Sequence, residues 1–404
     1  MDFIDTYMRY AMVNGGSDRF NLWAGITSIS AALERRVWLD DPSRGWLYAN
    51  LYTVLVGPPG SGKTTAIKIA ERFLKSIQYA GEDRKIYYVP VKITPAGLIE
   101  EIKHAYRAYK IGRFFVPQSP VCAIAHELHD MFTDIGGGSV IPELLTYYDP
   151  SGTLKPEDFK VIKKTRGYGI ETLVNPSVVL LAGTTTKYLS DTVTKDQAAL
   201  GITARIVFVY DGNFYEDATI RKRPSGEDAQ VLTLLLTRIF HMQGEIRFAK
   251  SAWKAWHVIV KKSNVDRKLY HGTDSIYEHY HGRKLTQIQK LAMISSASRS
   301  QADYLITTED LERACTWIEL LEQDMPKAFG MTPLHKDPLI STIILKYVPI
   351  EPARASESEI LNAIYKTGLV ATYNTDLKGA FEYLLRAGLI FQDGSGNYSR
   401  KQGT

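Results

Sequence analysis

Residues 51–70 read LYTVLVGPPGSGKTTAIKIA. An apolar, strand-type run passes through a glycine-rich turn into TTAIKIAERFLKSI (64–77), whose apolar residues recur at helical spacing. Gly57 to Thr64 fits the pattern GxxxxGK[ST], and the context is the one that pattern needs: strand before, helix after. Glycines at 57, 60 and 62 let backbone N–H groups converge on phosphate oxygens with no Cβ in the way, and Pro58, Pro59 and Ser61 complete the turn. Lys63 is placed to neutralise the β- and γ-phosphates and Thr64 to offer its hydroxyl to Mg²⁺, while Thr65 continues the helix whose positive end faces the anion. ATP and Mg²⁺ are the ligands this turn predicts.

Composition sets wide bounds around that turn. The chain has 404 residues, 45% apolar and 23% charged, which is ordinary for globular domains and excludes global disorder. A net charge of +5 permits a nucleic-acid partner without requiring one. The two cysteines, Cys122 and Cys315, form no CxxC pair, so a disulfide framework or zinc site is not expected and a reducing cytosol fits. MDFIDTYMRYAMVNGG lacks the form of a signal peptide, and no run approaches the ~20 apolar residues of a membrane span. The expectation is a soluble, cytoplasmic protein without a membrane partner.

Along the chain, residues 1–37 carry helical periodicity, broken into two helices at Asn14-Gly15-Gly16. Strand-like and helix-like segments then alternate: KIYYVPVKI (85–93) as strand, PAGLIEEIKHAYRAY (95–109) as helix, then the apolar strands PVCAIAHE, PSVVLLAGTTT and ARIVFVYDG. This alternation predicts an α/β fold with a parallel, helix-flanked sheet. RKRPSGED (221–228) reads as a linker. Helices follow at roughly 228–242, 251–268 and 277–299, then one from TTEDLERACTWIELLEQ with Thr308 as its cap. After AFGMTPLHKDP the tail reads as helices at 338–347, 356–366 and 374–387 and two short strands about an Asp-Gly-Ser-Gly turn, the outline of a winged helix. The expected division is an N-terminal helical segment (1–50), a P-loop ATPase core (51–215), a helical lid (216–330) and a winged-helix domain (337–404).

A P-loop hydrolase needs a carboxylate at the end of a neighbouring strand. Glu127, after the run 121–125, is the candidate both for Mg²⁺ and for activating water. His126 stands where a second acid is usual, which favours the water-activating role, and Asp130 is the reserve. Thr184-Thr185-Thr186 ends a third apolar strand; Thr185 is read either as a γ-phosphate sensor or as a helix cap. Arg205, just before a further strand, is read as a finger reaching a neighbouring subunit's nucleotide or as a surface ion pair. Arg283, in YHGRKLTQIQKLAMI, is read as a γ-phosphate contact or as a solvated helix-start arginine.

In this order, GPPGSGKT, HEL, LLAGTTT, TARIVFV and HGRKLTQIQKLA resemble an AAA+ ATPase of the replication-initiator and minichromosome-maintenance helicase kind. FNLWAGITSISAALERRVWL ahead of the P-loop strand, and ELLTYYDPSG ahead of LVNPSVVLLAGTT, are also similar to phage and prophage P-loop proteins described as candidate replicative helicases. The likeness covers most of residues 18–325. His126 and the single acid depart from the AAA+ pattern and leave a core nearer the RecA-like branch open. The resemblance implies a homo-oligomeric ring, a hexamer in the AAA+ case, acting with replication proteins on single-stranded or forked DNA in a phage or bacterial host cytosol.

KPEDFKVIKKTRGYG (155–169) is the best candidate to grip the polymer. Lys160, Lys163, Lys164 and Arg166 would track phosphates and Tyr168 would stack on a base, a position that in related motors faces the central pore. A solvated surface loop is the plain alternative. Arg221, Lys222 and Arg223 read as linker; Lys261, Lys262, Arg267 and Lys268 read as lid surface or as a second nucleic-acid contact. The winged helix, with only Lys378 and Arg386 on its third helix, suits duplex binding and protein docking equally. Three functions remain: a ring-forming DNA helicase, an ATP-dependent initiator or loader that binds DNA without unwinding it, and a non-hydrolysing regulatory P-loop protein.

Overall fold

In a computed structural model, the structure describes residues 1–41, 45–77, 85–111, 114–132, 139–149, 160–165, 169–192, 201–215, 225–270, 276–299, 304–329, 338–366, 380–381, 384–385 and 389–400. Arg166 and Tyr168 of the basic stretch, the linker residues 221–224, and most of the helix expected at 374–387 lie outside these.

Two helices open the chain, α1 (Phe3–Asn14) and α2 (Asp18–Leu33). Gly15 and Gly16 separate them with φ of 75° and 88°, a conformation glycine adopts at little cost, and Ser17 caps α2 by accepting from Phe20 N. There follow β1 (Val37–Asp41), β2 (Gly45–Tyr48), β3 (Tyr52–Val56), α3 (Lys63–Ser76), β4 (Tyr88–Val89), α4 (Pro95–His104), β5 (Arg107–Ile111), β6 (Phe114–Ala125), α5 (Leu128–Phe132) and α6 (Ile141–Tyr148). Next come β7 (Lys160–Thr165), β8 (Gly169–Val174), β9 (Pro176–Thr184), α7 (Thr186–Thr192) and β10 (Ile206–Tyr210). The remaining elements are α8 (Gly226–Phe240), β11 (Gly244–Phe248), α9 (Lys250–Tyr270), α10 (Ile276–Ser298), β12 (Leu305–Ile306), α11 (Thr308–Ala328), α12 (Pro338–Tyr347), β13 (Ala355–Ser356), α13 (Glu357–Tyr365), β14 (Phe391–Gln392) and β15 (Asn397–Ser399).

The chain is α/β. Its main sheet has six strands; five run parallel in the order β10-β3-β9-β6-β4, and β5 adds antiparallel to β6. β3 and β9 are buried along their whole lengths, as parallel strands covered on both faces must be. Alternate residues feed two cores. Leu55, Val179, Leu181, Val207 and Val209 join a cluster that includes α1, α2, α3 and the apolar faces of α8, α10 and α11. Val54, Val56, Leu180, Ala182 and Phe208 join a second with α4 and α6. A third cluster, with Ile344, Ile360, Ile364, Phe381 and Leu384, underlies the C-terminal helices and the antiparallel strands β13-β15-β14. Among the described residues no helix is long and apolar enough to cross a membrane.

Several local expectations change. Residues 95–109 are not one helix: α4 stops at His104 and Arg107–Ile111 pair with Phe114–Gln118 as a strand. The strand expected at 85–93 keeps only Tyr88–Val89. The cap of α11 is Thr307, whose hydroxyl accepts from Asp310 N, one residue before Thr308. The basic stretch is not a loop over its described part but an antiparallel pair, β7 with β8, in which Lys163 lies opposite Glu171. A second, four-stranded sheet, β12-β11-β1-β2, has no counterpart in the sequence reading. Its strands are short and three of them come from separate parts of the chain.

Glu34, Arg35 and Arg36 follow α2, yet all are buried. Glu34 pairs with Arg36 and with Arg107, and accepts from Tyr109 Oη at 3.2 Å and Gln118 Nε2 at 3.1 Å. Arg35 donates to Asn175 Oδ1 at 2.7 Å and to the Tyr147 carbonyl at 3.0 Å. These bonds tie the leader helix to β5, β6 and the start of β9, because buried charge is tolerated only when it is paired.

Candidate phosphate site

The turn between β3 and α3 has the geometry its sequence predicts. Gly60 and Gly62 sit at φ of 82° and 87°, and Gly62 is the residue from which α3 starts. Gly57 N donates to the Thr184 carbonyl at 3.2 Å, anchoring the turn to the end of β9. Lys63 is buried; its ammonium donates to the Gly57 carbonyl at 2.6 Å, the Pro58 carbonyl at 2.8 Å and Ser61 Oγ at 3.2 Å. Burial holds the Lys63 pKa below its ordinary value, and the Glu127 carboxylate opposes that shift. Thr64 is exposed at the helix start and Thr65 is half-buried beside it.

Strand order brings the acid to this turn. β6 ends at Ala125, level with Ala182 of β9 and so with Val54 of β3. Glu127 follows two residues on and is exposed at the same end of the sheet as the turn. Since β9 lies between β3 and β6, the two strand ends stand about 10 Å apart at ~4.8 Å per strand. Gly183 is required by close approach: a Cβ there would fall 2.7 Å from the His126 carbonyl oxygen and push the His126–Glu127 backbone away. His126 is exposed, and Asp130 pairs with Lys92 at 3.3 Å.

Thr185 acts as a cap: its hydroxyl accepts from Tyr188 N at 3.3 Å, and its carbonyl from Leu189 N at 3.1 Å, at the start of α7. It still sits beside the turn, because Thr184 pairs with Val56.

Arg205 and Arg283 are brought to each other, not to Lys63. Both pair with Asp149, at 3.4 Å and 2.5 Å, and Arg205 also donates to the Gly201 carbonyl at 3.0 Å. Ile206, next to Arg205, pairs with Tyr52 at the start of β3. The five-residue strand β3 therefore separates this cluster from the phosphate turn by roughly 16 Å. Within one chain neither arginine would reach a phosphate held at Lys63. Of the basic stretch, Lys160, Lys163 and Lys164 lie along β7, whose partner β8 runs almost directly into β9.

The sequence reading missed a group that braces the turn. Asp211, at the end of β10, accepts from Ser17 Oγ at 2.5 Å, Tyr215 Oη at 2.8 Å and Asn213 N at 2.9 Å. Tyr215 N donates to the Gly60 carbonyl at 3.3 Å, and a Cβ on Gly62 would lie 2.8 Å from Gly16 Cα. The N-terminal break and the strand-end Asp-Gly thus close on the same turn. Their signal was there, as Asn-Gly-Gly-Ser and Tyr-Asp-Gly, but each reads only as punctuation.

Lys290 was also missed. It is fully buried beside Asp149, donates to the Asn50 carbonyl at 3.0 Å and lies 3.6 Å from the Tyr148 ring centroid. Burial lowers its pKa to about 7; Asp149 opposes the shift, and Arg35, Arg283 and Arg205 add to it. The folded chain therefore binds fewer protons than the unfolded chain between that pH and the ordinary lysine value of 10.5, so this lysine makes stability rise as pH climbs through that window, by at most ~1.4 kcal/mol per pH unit. Urea melts across that range should show the rise in the wild type and a flatter profile in Lys290→Met. Parallel profiles would contradict the assignment.

A scan against protein-family models found no match, and a search of curated proteins found none. The functional reading rests on the site itself.

Proposed function

We propose that the chain is an ATP-hydrolysing motor of the AAA+ kind, a ring-forming DNA helicase that couples hydrolysis to movement along a DNA strand. The observation that carries this reading is that Lys63, seated in the phosphate turn, and Glu127, after the end of the strand two places away, lie at the same end of the sheet, near enough for the carboxylate to act on the ammonium electrostatically. Backbone N–H groups of the turn and the start of α3 bind the phosphates. Lys63, now held by loop carbonyls, exchanges them for phosphate oxygens, which restores the counter-charge its burial lacks. Glu127 takes the proton of the attacking water. Mg²⁺ fits the exposed Thr64 hydroxyl and Glu127, because this ion keeps most of its ligands as water and phosphate and needs no protein cage. When bound, it neutralises charge developing on the phosphoryl oxygens.

Transmission runs through β9. Thr184 and Thr185 stand at its nucleotide end, and β8 enters its other end through Asn175, about 30 Å away for nine residues. A shift at the phosphates moves the β7–β8 hairpin, which carries Lys160, Lys163 and Lys164 to the DNA backbone. Arg205 and Arg283, remote from their own nucleotide, serve a neighbouring subunit's site in the ring. The C-terminal helices with β13-β15-β14 are read as a winged helix that docks DNA or a replication protein.

Strand displacement on forked DNA tests the reading. Unwinding that needs ATP is the expected result. ATP-dependent DNA binding without unwinding would mean a loader or initiator, and no turnover at all would mean a non-hydrolysing regulator.

A further inference from the structure

A cavity of about 320 Å³ opens between β1, the end of β11, α9 and α10, on the second sheet and apart from the phosphate turn. One wall is aromatic. Phe248 lies 4.9 Å from Trp253 and 5.8 Å from Trp256, centroid to centroid, and Trp253 leaves 40% of its surface exposed. An indole half-open to a cavity is a costly surface for a protein to keep unless something covers it.

Two of the polar residues on the lining are carboxylates, Asp40 and Asp41. Asp40 is exposed at the rim. Asp41 Oδ2 accepts from Gln289 Nε2 at 2.7 Å, which turns the amide so that Gln289 Oε1 is buried with no hydrogen-bond partner. Gln289 as a whole is 2% exposed, so this orphan acceptor is not compensated by bulk water. His257 Nδ1 lies 2.7 Å from the Trp253 carbonyl, which can only accept, so Nδ1 carries the proton of that bond. Indole rings and a carboxylate at the rim together select a flat cation with several N–H donors. They disfavour phosphates and carboxylates.

We propose that this cavity is a binding site for a guanidinium group, stacked on the Trp253–Trp256 wall and donating to Asp40. A guanidinium is planar, permanently charged and rich in donors, and stacks on indole at a gain that grows as water is excluded. The site does not depend on the ATPase reading.

Calorimetric titration of the full chain, with tryptophan fluorescence as a second readout, tests it with three probes: Nα-acetylarginine amide, agmatine and Nα-acetylcitrulline amide. The citrulline probe keeps the shape and loses the charge. The arginine amide should bind about tenfold tighter than the citrulline amide, and Trp253→Ala should remove about tenfold of that affinity. Asp40→Asn, at an exposed position, should cost about threefold. Both variants should hydrolyse ATP at the wild-type rate. If the arginine amide binds better than agmatine, the natural ligand is an arginine on a polypeptide; the reverse ranking identifies a free guanidino amine. Equal affinity for arginine and citrulline probes, preference for adenosine, no binding, or binding untouched by Trp253→Ala in a variant that melts like wild type would overturn the proposal.

Discussion

Lys63→Ala should lower ATP turnover by at least about 100-fold while the chain melts close to the wild-type temperature. The two halves of that expectation have different causes. The ammonium is buried and held by the Gly57 and Pro58 carbonyls, yet it reaches no residue outside the turn that carries it. Its hydrogen bonds are local, and its desolvation is only partly offset by Glu127, so folding gains little from it. On the proposed reading turnover depends on it much more, because a fixed, buried cation would stabilise charge on the phosphates without reorganising. Circular-dichroism melting and a phosphate-release assay on the same preparation separate the effects. A variant that retained its rate would remove Lys63 from the chemistry.

Glu127→Gln should be the second large loss, about 10²–10⁴ in turnover, with ATP still bound. The substitution keeps shape and hydrogen-bonding capacity but cannot take a proton. Glu127 is exposed at the end of the sheet, so its replacement costs the fold little. It also removes a charge that opposes the fall in the Lys63 pKa. Nucleotide affinity should therefore shift modestly while hydrolysis nearly stops. Equilibrium binding of a fluorescent ATP analogue, measured beside single-turnover hydrolysis, checks both. Full turnover would pass the role to Asp130, which already pairs with Lys92 at 3.3 Å.

Much of this site was legible because its signals are local. GPPGSGKT specifies a backbone path through glycines at positive φ, and the apolar runs at 51–56, 120–125, 176–184 and 206–210 each read as a buried strand. Arg283 shows the opposite case. Its helix was expected and is present, but which end of the sheet it meets depends on Asp149, 134 residues away. Thr185 was balanced between two roles, and its hydroxyl is engaged as a cap.

Spacing and periodicity by themselves determined the phosphate turn, the parallel α/β class and the two leader helices, since each depends on residues within a turn or strand of one another. Only tertiary structure decided that Glu34, Arg35 and Arg36 are buried, that β1 and β11 pair into a second sheet, and that Ser17 and Asp211 brace the turn. Those outcomes rest on partners far along the chain. A charge reads as surface until its counter-charge arrives, and a short strand reads as loop until another supplies its hydrogen bonds.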